Sequence, residues 1–129
     1  MQSLYPEAPE LLGVGRLPDG SPFGRVAIVR DGERRTFRFA VSEAGYGALS
    51  RAVALRPFST MPGTPYRRFF NGFAMQLGPV EKYLLDIWVE SGKARKTISL
   101  EAPRDLTGTL DWFLKVKSFE ETAHLTADA

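Results

Sequence analysis

An internal likeness constrains the fold of this 129-residue chain more than any single motif does. Thr36-Phe37-Arg38-Phe39 lies over Thr97-Ile98-Ser99-Leu100. The same register carries Gly47 over Gly108, Leu49 over Leu110, Val53 over Leu114 and Phe58 over Phe119. Upstream, after a one-residue slip, Arg35 falls on Arg95, Gly32 on Gly92, Val29 on Val89 and Leu17 on Leu77. Each half reads as strands, a glycine turn, a strand and then a helix, with repeats over 10–58 and 66–119. A unit of about 60 residues buries only about 60% of its surface, so neither copy is expected to stand alone. The expectation is a single α+β domain over 1–129, in which two tandem strand-rich β-β-(β)-α repeats pack as a pseudo-twofold body.

Local signals place the elements. Residues 1–9, with Pro6 and Pro9, read as a flexible lead-in. A strand is expected over Leu11–Leu17, followed by turn chemistry at Pro18-Asp19-Gly20-Ser21-Pro22. Arg25–Arg30 reads as a second strand, and Asp31-Gly32 is a hairpin signal. The next strand alternates, with Phe37, Phe39 and Val41 on one face and Arg34, Thr36, Arg38 and Ala40 on the other. Ser42 is placed to cap a helix running to about Leu55, with Leu49, Val53 and Tyr46 inward. Gly45 and Gly47 weaken that helix by roughly 1 kcal/mol each relative to alanine, and Pro57 stops it.

In the second half Tyr66–Leu77 reads as a strand with a bulge at Gly72, although Arg67-Arg68-Phe69-Phe70 also fits the start of a helix. Lys82–Glu90 is a strand with Leu85, Ile87 and Val89 inward and Leu84, Asp86, Trp88 and Glu90 outward. Arg95–Glu101 is a strand with Ile98 and Leu100 inward. A helix headed by Pro103 covers about Arg104–Lys117, with Leu106, Leu110, Phe113 and Leu114 at amphipathic spacing. Residues 120–129 are polar and read as frayed.

Catalytic chemistry has little to work with. There are no cysteines, which removes disulfides, thiolate nucleophiles and thiolate metal ligands. The single histidine, His124, falls in the expected tail, and no phosphate-cradling loop, nucleophile elbow or zinc-binding helix motif is present. Asp86 and Glu90 share a strand face, but solvated carboxylate pairs beside a tryptophan are commonplace. The reading is a protein without catalysis, cofactor or metal. No apolar run approaches 18 residues, and the first residues lack a basic segment followed by an apolar one, so a cytoplasmic protein with no membrane association is expected.

Binding is better supplied. The net charge is +2, and twelve arginines stand against five lysines. That excess fits a GC-rich genome, and it also fits phosphate contacts, which favour the guanidinium fork. Arg34 and Arg38 lie on one polar strand face, Arg95 and Lys96 on the matching strand of the other half. Arg67 and Arg68 flank Phe69 and Phe70, and Trp88 is on a non-core face. Cations to track phosphates beside aromatic faces to stack on bases are what a single strand needs. This predicts a nucleic-acid-binding set of Arg34, Arg38, Arg67, Arg68, Phe70, Trp88, Arg95 and Lys96. In the competing reading the chain is a small interaction or assembly module. There Trp88, Phe69, Phe70 and Phe73 form a homodimer, higher-oligomer or partner interface, and the arginines only solubilise.

Arg95-Lys96-Thr97-Ile98-Ser99-Leu100-Glu101-Ala102-Pro103, followed by Leu106 and Leu110, resembles the last strand and helix of the positive-cofactor-four coactivator domain. The whirly proteins and the Pur-alpha repeats share that plan of several strands and one helix. The resemblance covers residues 95–117. It implies single-stranded DNA binding on curved sheets, paired units, and Arg95 and Lys96 as backbone contacts. The chain departs from the plan in having three strands per half rather than four.

Overall fold

A computed structural model describes residues 8–59, 63–76, 82–115, 119 and 125–127. The elements are β1 (Glu10–Arg16), β2 (Pro22–Arg30), β3 (Glu33–Ala40), α1 (Glu43–Val53), β4 (Tyr66–Gln76), β5 (Lys82–Ser91), β6 (Ala94–Ala102), α2 (Arg104–Lys115) and β7 (Thr126–Ala127). Three strands and a helix are thus followed by three strands and a helix, an α+β arrangement. The strands form one antiparallel sheet in the order β6-β5-β4-β1-β2-β3-β7. The two halves meet at its centre, where Glu10 pairs with Phe69 and Leu11 with Arg68. The amide of Phe70 donates to the carbonyl of Pro9 at 2.8 Å.

Pairing and burial divide the sheet into two faces. Val26 pairs with Leu11 and Phe37, and Gly24 with Phe39 and Val14. Ile87 pairs with Phe70 and Ile98, and Leu85 with Leu100. Most of these residues are buried and join Leu49, Leu106, Leu110 and Phe113 of the helices in one core. Both helices therefore cover the same face. Each large side chain buried there contributes about 1.5–3 kcal/mol. α1 lies over β1 and β2 and reaches the end of β6, where Arg51 donates to the Glu101 carbonyl. α2 lies over β4 and β5 and reaches the other half through an edge-on contact of Phe113 with Phe39.

Local chemistry explains the element ends. The Ser42 hydroxyl accepts from the Gly45 amide at 3.0 Å and caps α1, with Glu43 in its first turn. Arg16 grips Glu43 with two hydrogen bonds, at 2.8 and 2.9 Å, and lies over the Tyr46 ring. That guanidinium holds the Glu43 carboxyl below its usual range. Gly45 packs in the core close to Leu106, so its helix penalty is exchanged for close approach of the two helices. Asp31 and Gly32 both have positive φ, as the β2–β3 hairpin requires. Both β1 and β4 carry an irregularity, between Leu11 and Gly13 and between Phe70 and Gly72.

Three expectations change. Pro9 belongs to the buried body rather than to a flexible lead-in, because its carbonyl completes the central pairing. The polar tail is not wholly frayed: Thr126–Ala127 pair with Arg38 and Phe37 on the outer edge of β3. The one-residue slip is absent, since Arg30–Glu33 and Ser91–Ala94 close hairpins with two intervening residues each. His124 lies outside the described residues.

Gly24 supplies a test of this packing. A Cβ there would lie 2.6 Å from Phe39 Cζ and 2.9 Å from Leu49 Cδ1, whereas one at Gly13 meets nothing within 4 Å. Gly24→Ala is expected to cost about 1–3 kcal/mol by overpacking, and Gly13→Ala to be near neutral. Urea denaturation of both variants checks this, and equal midpoints would contradict the packing.

Candidate nucleic-acid interface

The helix-free face of the sheet carries five arginines, Arg25, Arg34, Arg38, Arg67 and Arg95. On β2 and β3, Phe23, Arg25, Arg34, Thr36 and Arg38 share it, because Arg25 pairs with Arg38 and Phe23 with Ala40. β1 contributes Glu10, and β4 contributes Arg67 and Phe69. On β5 and β6 the same face carries Asp86, Trp88, Glu90, Arg95, Thr97, Ser99 and Glu101.

Each aromatic on this face has a guanidinium beside it. Arg38 lies over the Phe23 ring at 5.5 Å, Arg67 over Phe69 at 4.9 Å and Arg95 over Trp88 at 5.1 Å. The Phe23 ring itself lies across Gly15, where a Cβ would come within 2.7 Å of it. Glycine at position 15 thus leaves room for the end of the ring.

Carboxylates neutralise part of this charge. Glu10 accepts two hydrogen bonds from Arg67, at 2.8 and 3.1 Å, and lies 3.7 Å from Arg34. The bond to Glu10 raises the Arg67 pKa above its ordinary value. Arg95 pairs with Glu90 at 2.8 Å, and Ser99 donates to Asp86. The face is consequently unequal in charge. Its β2–β3 side carries Arg25, Arg34 and Arg38, whereas its β5–β6 side sets Asp86, Glu90 and Glu101 against Arg95.

The structure separates the residues expected to act together. Arg34, Arg38, Arg67 and Arg95 lie on the helix-free face, and Arg34, Arg67 and Arg95 are about half exposed. Arg68 does not join them. It points into the helix layer and donates to the Leu55 carbonyl at 2.7 Å, just beyond α1. Phe70 is completely buried among core residues and has no face to offer a base. Lys96 is exposed but falls on the helix side of β6, opposite Val89. Trp88 is on the open face yet only 5% exposed, so it cannot stack on a base as it stands. Phe70 and Trp88 are also two of the four aromatics of the assembly reading; Phe69 is half-buried on the open face, and the Phe73 side chain lies outside the described residues.

Arg25 and Phe23 lie on this candidate face, and sequence reasoning passed over them. The signal was present: a two-residue loop at Asp31-Gly32, counted outward, places Arg25 opposite Arg38.

Among the described residues there is no group of three metal-ligating side chains, and no helix is long and apolar enough to cross a membrane. An open groove of about 880 Å³ runs along α2, lined by Arg104, Asp105, Gly108, Thr109, Trp112 and Leu125. It lies in the helix layer, away from the arginine-bearing face. Comparison with protein-family models, with curated proteins and with solved structures finds no match.

The placement of Trp88 is checked by fluorescence. With Trp112→Phe, the remaining emission is expected to be blue-shifted and resistant to acrylamide. Quenching like that of a free indole would contradict its burial under Arg95.

Proposed function

We propose that this protein binds single-stranded nucleic acid, DNA in the first instance, with little sequence preference and without catalysis, on the helix-free face of its sheet. One observation carries the reading. Arg25 and Arg38 are a directly opposed cross-strand pair on that face, with the Phe23 ring beside them. Guanidinium groups clustered beside an aromatic ring on an open sheet face are what a phosphate backbone and its bases need. Arg34 extends the cationic row along β3, and Arg67 extends it onto β4.

In this mechanism Arg25, Arg38 and Arg34 contact successive phosphates. Phe23 and Phe69, both half-buried, offer a ring face to bases once Arg38 and Arg67 turn from them to phosphates, a contact worth about 1–3 kcal/mol each. Trp88 holds Arg95 in place from beneath rather than stacking. Lys96, carried over from the positive-cofactor-four resemblance, lies on the helix side of β6, opposite Val89, and takes no part in this mechanism.

The same reading takes the chain to be a duplicated three-strand-and-helix unit. It is supported by the strand order, by the two-residue loops of the β2–β3 and β5–β6 hairpins, and by the paired irregularities at Leu11/Gly13 and Phe70/Gly72. The Glu10–Phe69 pair would then lie on the pseudo-twofold axis, and the two half-faces would have diverged in charge.

Anisotropy of a labelled oligothymidylate, set beside a duplex across a salt titration, tests the function. Tight, salt-sensitive, single-strand-preferring binding is expected. Arg25→Glu with Arg38→Glu is expected to weaken it at least tenfold and to lower the salt slope by about 1.4, at roughly 0.7 per lost phosphate contact. Unchanged affinity in a folded double variant contradicts the assignment. Glu10→Gln, by releasing Arg34 and Arg67, is expected to tighten binding and steepen the salt dependence; weaker binding by that variant would count against a role for these two arginines.

A further inference from the structure

β6 is one edge of the sheet, and among the described residues no strand pairs on its far side. Nine residues form it, Ala94–Ala102, and they are among the most exposed of any strand. Ser91 and Ala94 close the β5–β6 hairpin around a two-residue loop. In such a hairpin the closing pair is hydrogen-bonded, and bonded pairs alternate along the ladder. The amides and carbonyls of Arg95, Thr97, Ser99 and Glu101 therefore point away from β5, toward solvent. Arg51 reaches one of them, the Glu101 carbonyl, at 3.4 Å. A long edge of this kind is a template for another strand. The opposite edge already takes one, because β7 pairs antiparallel with Phe37 and Arg38.

We propose that two copies of this chain join edge to edge through β6, antiparallel, about a twofold axis at Ile98. The charge pattern selects this partner and this register. Ile98 is the midpoint of the strand, with Arg95 three residues before it and Glu101 three residues after. Reversal about Ile98 sets Arg95 against Glu101 of the second copy, and by symmetry does so twice, on the helix-free face. It also sets Thr97 against Ser99 on that face, a pairing that hydroxyl side chains favour. Ile98 meets its own copy on the helix side, beside partly buried Leu100 and Ile98 of each chain. All nine residues overlap, and the outward-pointing groups exchange about eight backbone hydrogen bonds. A shift of two residues loses both Arg–Glu pairs, and a shift of four in one direction places Lys96 against its own copy. The twofold keeps the helices of both copies on one side and makes their arginine-bearing faces a single continuous surface.

Edge pairing buries less than a standard interface, so dissociation is expected on the order of 1–100 µM. The dimer requires no ligand, so its test is independent of nucleic-acid binding. Sedimentation equilibrium of the full chain, without nucleic acid, is expected to show a reversible dimer. Thr97→Pro removes an outward amide without touching the β5 ladder and is expected to leave a monomer with unchanged circular dichroism. Glu101→Arg and Arg95→Glu are each expected to weaken the dimer at least tenfold, and the two together to restore it. A wild-type monomer at several hundred micromolar, or a folded Thr97→Pro variant that still dimerises, overturns the proposal. So does a double exchange that stays as weak as the single variants.

Discussion

The two halves of the sheet are joined across a backbone seam of three residues on each side. Pro9, just before β1, and Glu10 and Leu11 of β1 meet Phe70, Phe69 and Arg68 of β4. Beyond it each strand makes its irregularity and turns to its own hairpin partner. A seam this short cannot hold the halves alone. The helices close over one side of it, and Glu10 ties the other. Its carboxylate, only 12% exposed, binds Arg67 beside it on β4 and approaches Arg34 two strands away. The residue between, Ala27, is small enough to let that reach occur. Both arginines are half exposed, so each pair contributes no more than about 0–1 kcal/mol. The geometric consequence is larger than the energy: the seam determines which residues share the open face.

On the proposed function, that face carries a conflict between structure and ligand binding. The carboxylate that ties the seam also neutralises two of its cations. The more basic part of the face lies on β2 and β3, where Arg25 and Arg38 stand opposed beside Phe23. On β5 and β6 the equivalent surface is mixed in sign, and its arginine serves Glu90 and Trp88. One scaffold thus presents a basic half suited to phosphates and a mixed half suited to self-complementary edge pairing.

Much of the architecture was legible because it is local. Alternation in Arg34–Val41 and Lys82–Glu90, the Asp31-Gly32 turn, the Ser42 cap and the glycine at the β4 irregularity each act within a few residues. The candidate site was less legible because side-chain direction depends on register. In Arg67-Arg68-Phe69-Phe70 a period of two divides the cluster, sending Arg67 and Phe69 to the open face and Arg68 and Phe70 into the core. Placing Arg67, Arg68 and Phe70 in one binding set ignored that division. Arg95 and Lys96 part for the same reason. The seam, the burial of Trp88 and the pairing of Thr126–Ala127 depend on contacts distant in sequence, and two residues are too few to show any periodicity.

The most direct test of the ligand face is amide and guanidinium chemical-shift mapping of the isotope-labelled protein during titration with oligothymidylate. The account predicts shifts concentrated at Phe23, Arg25, Arg34, Thr36 and Arg38, with smaller changes at Arg67 and Phe69. Shifts confined to the α2 groove around Gly108 and Trp112, or none at saturating oligonucleotide, would contradict it.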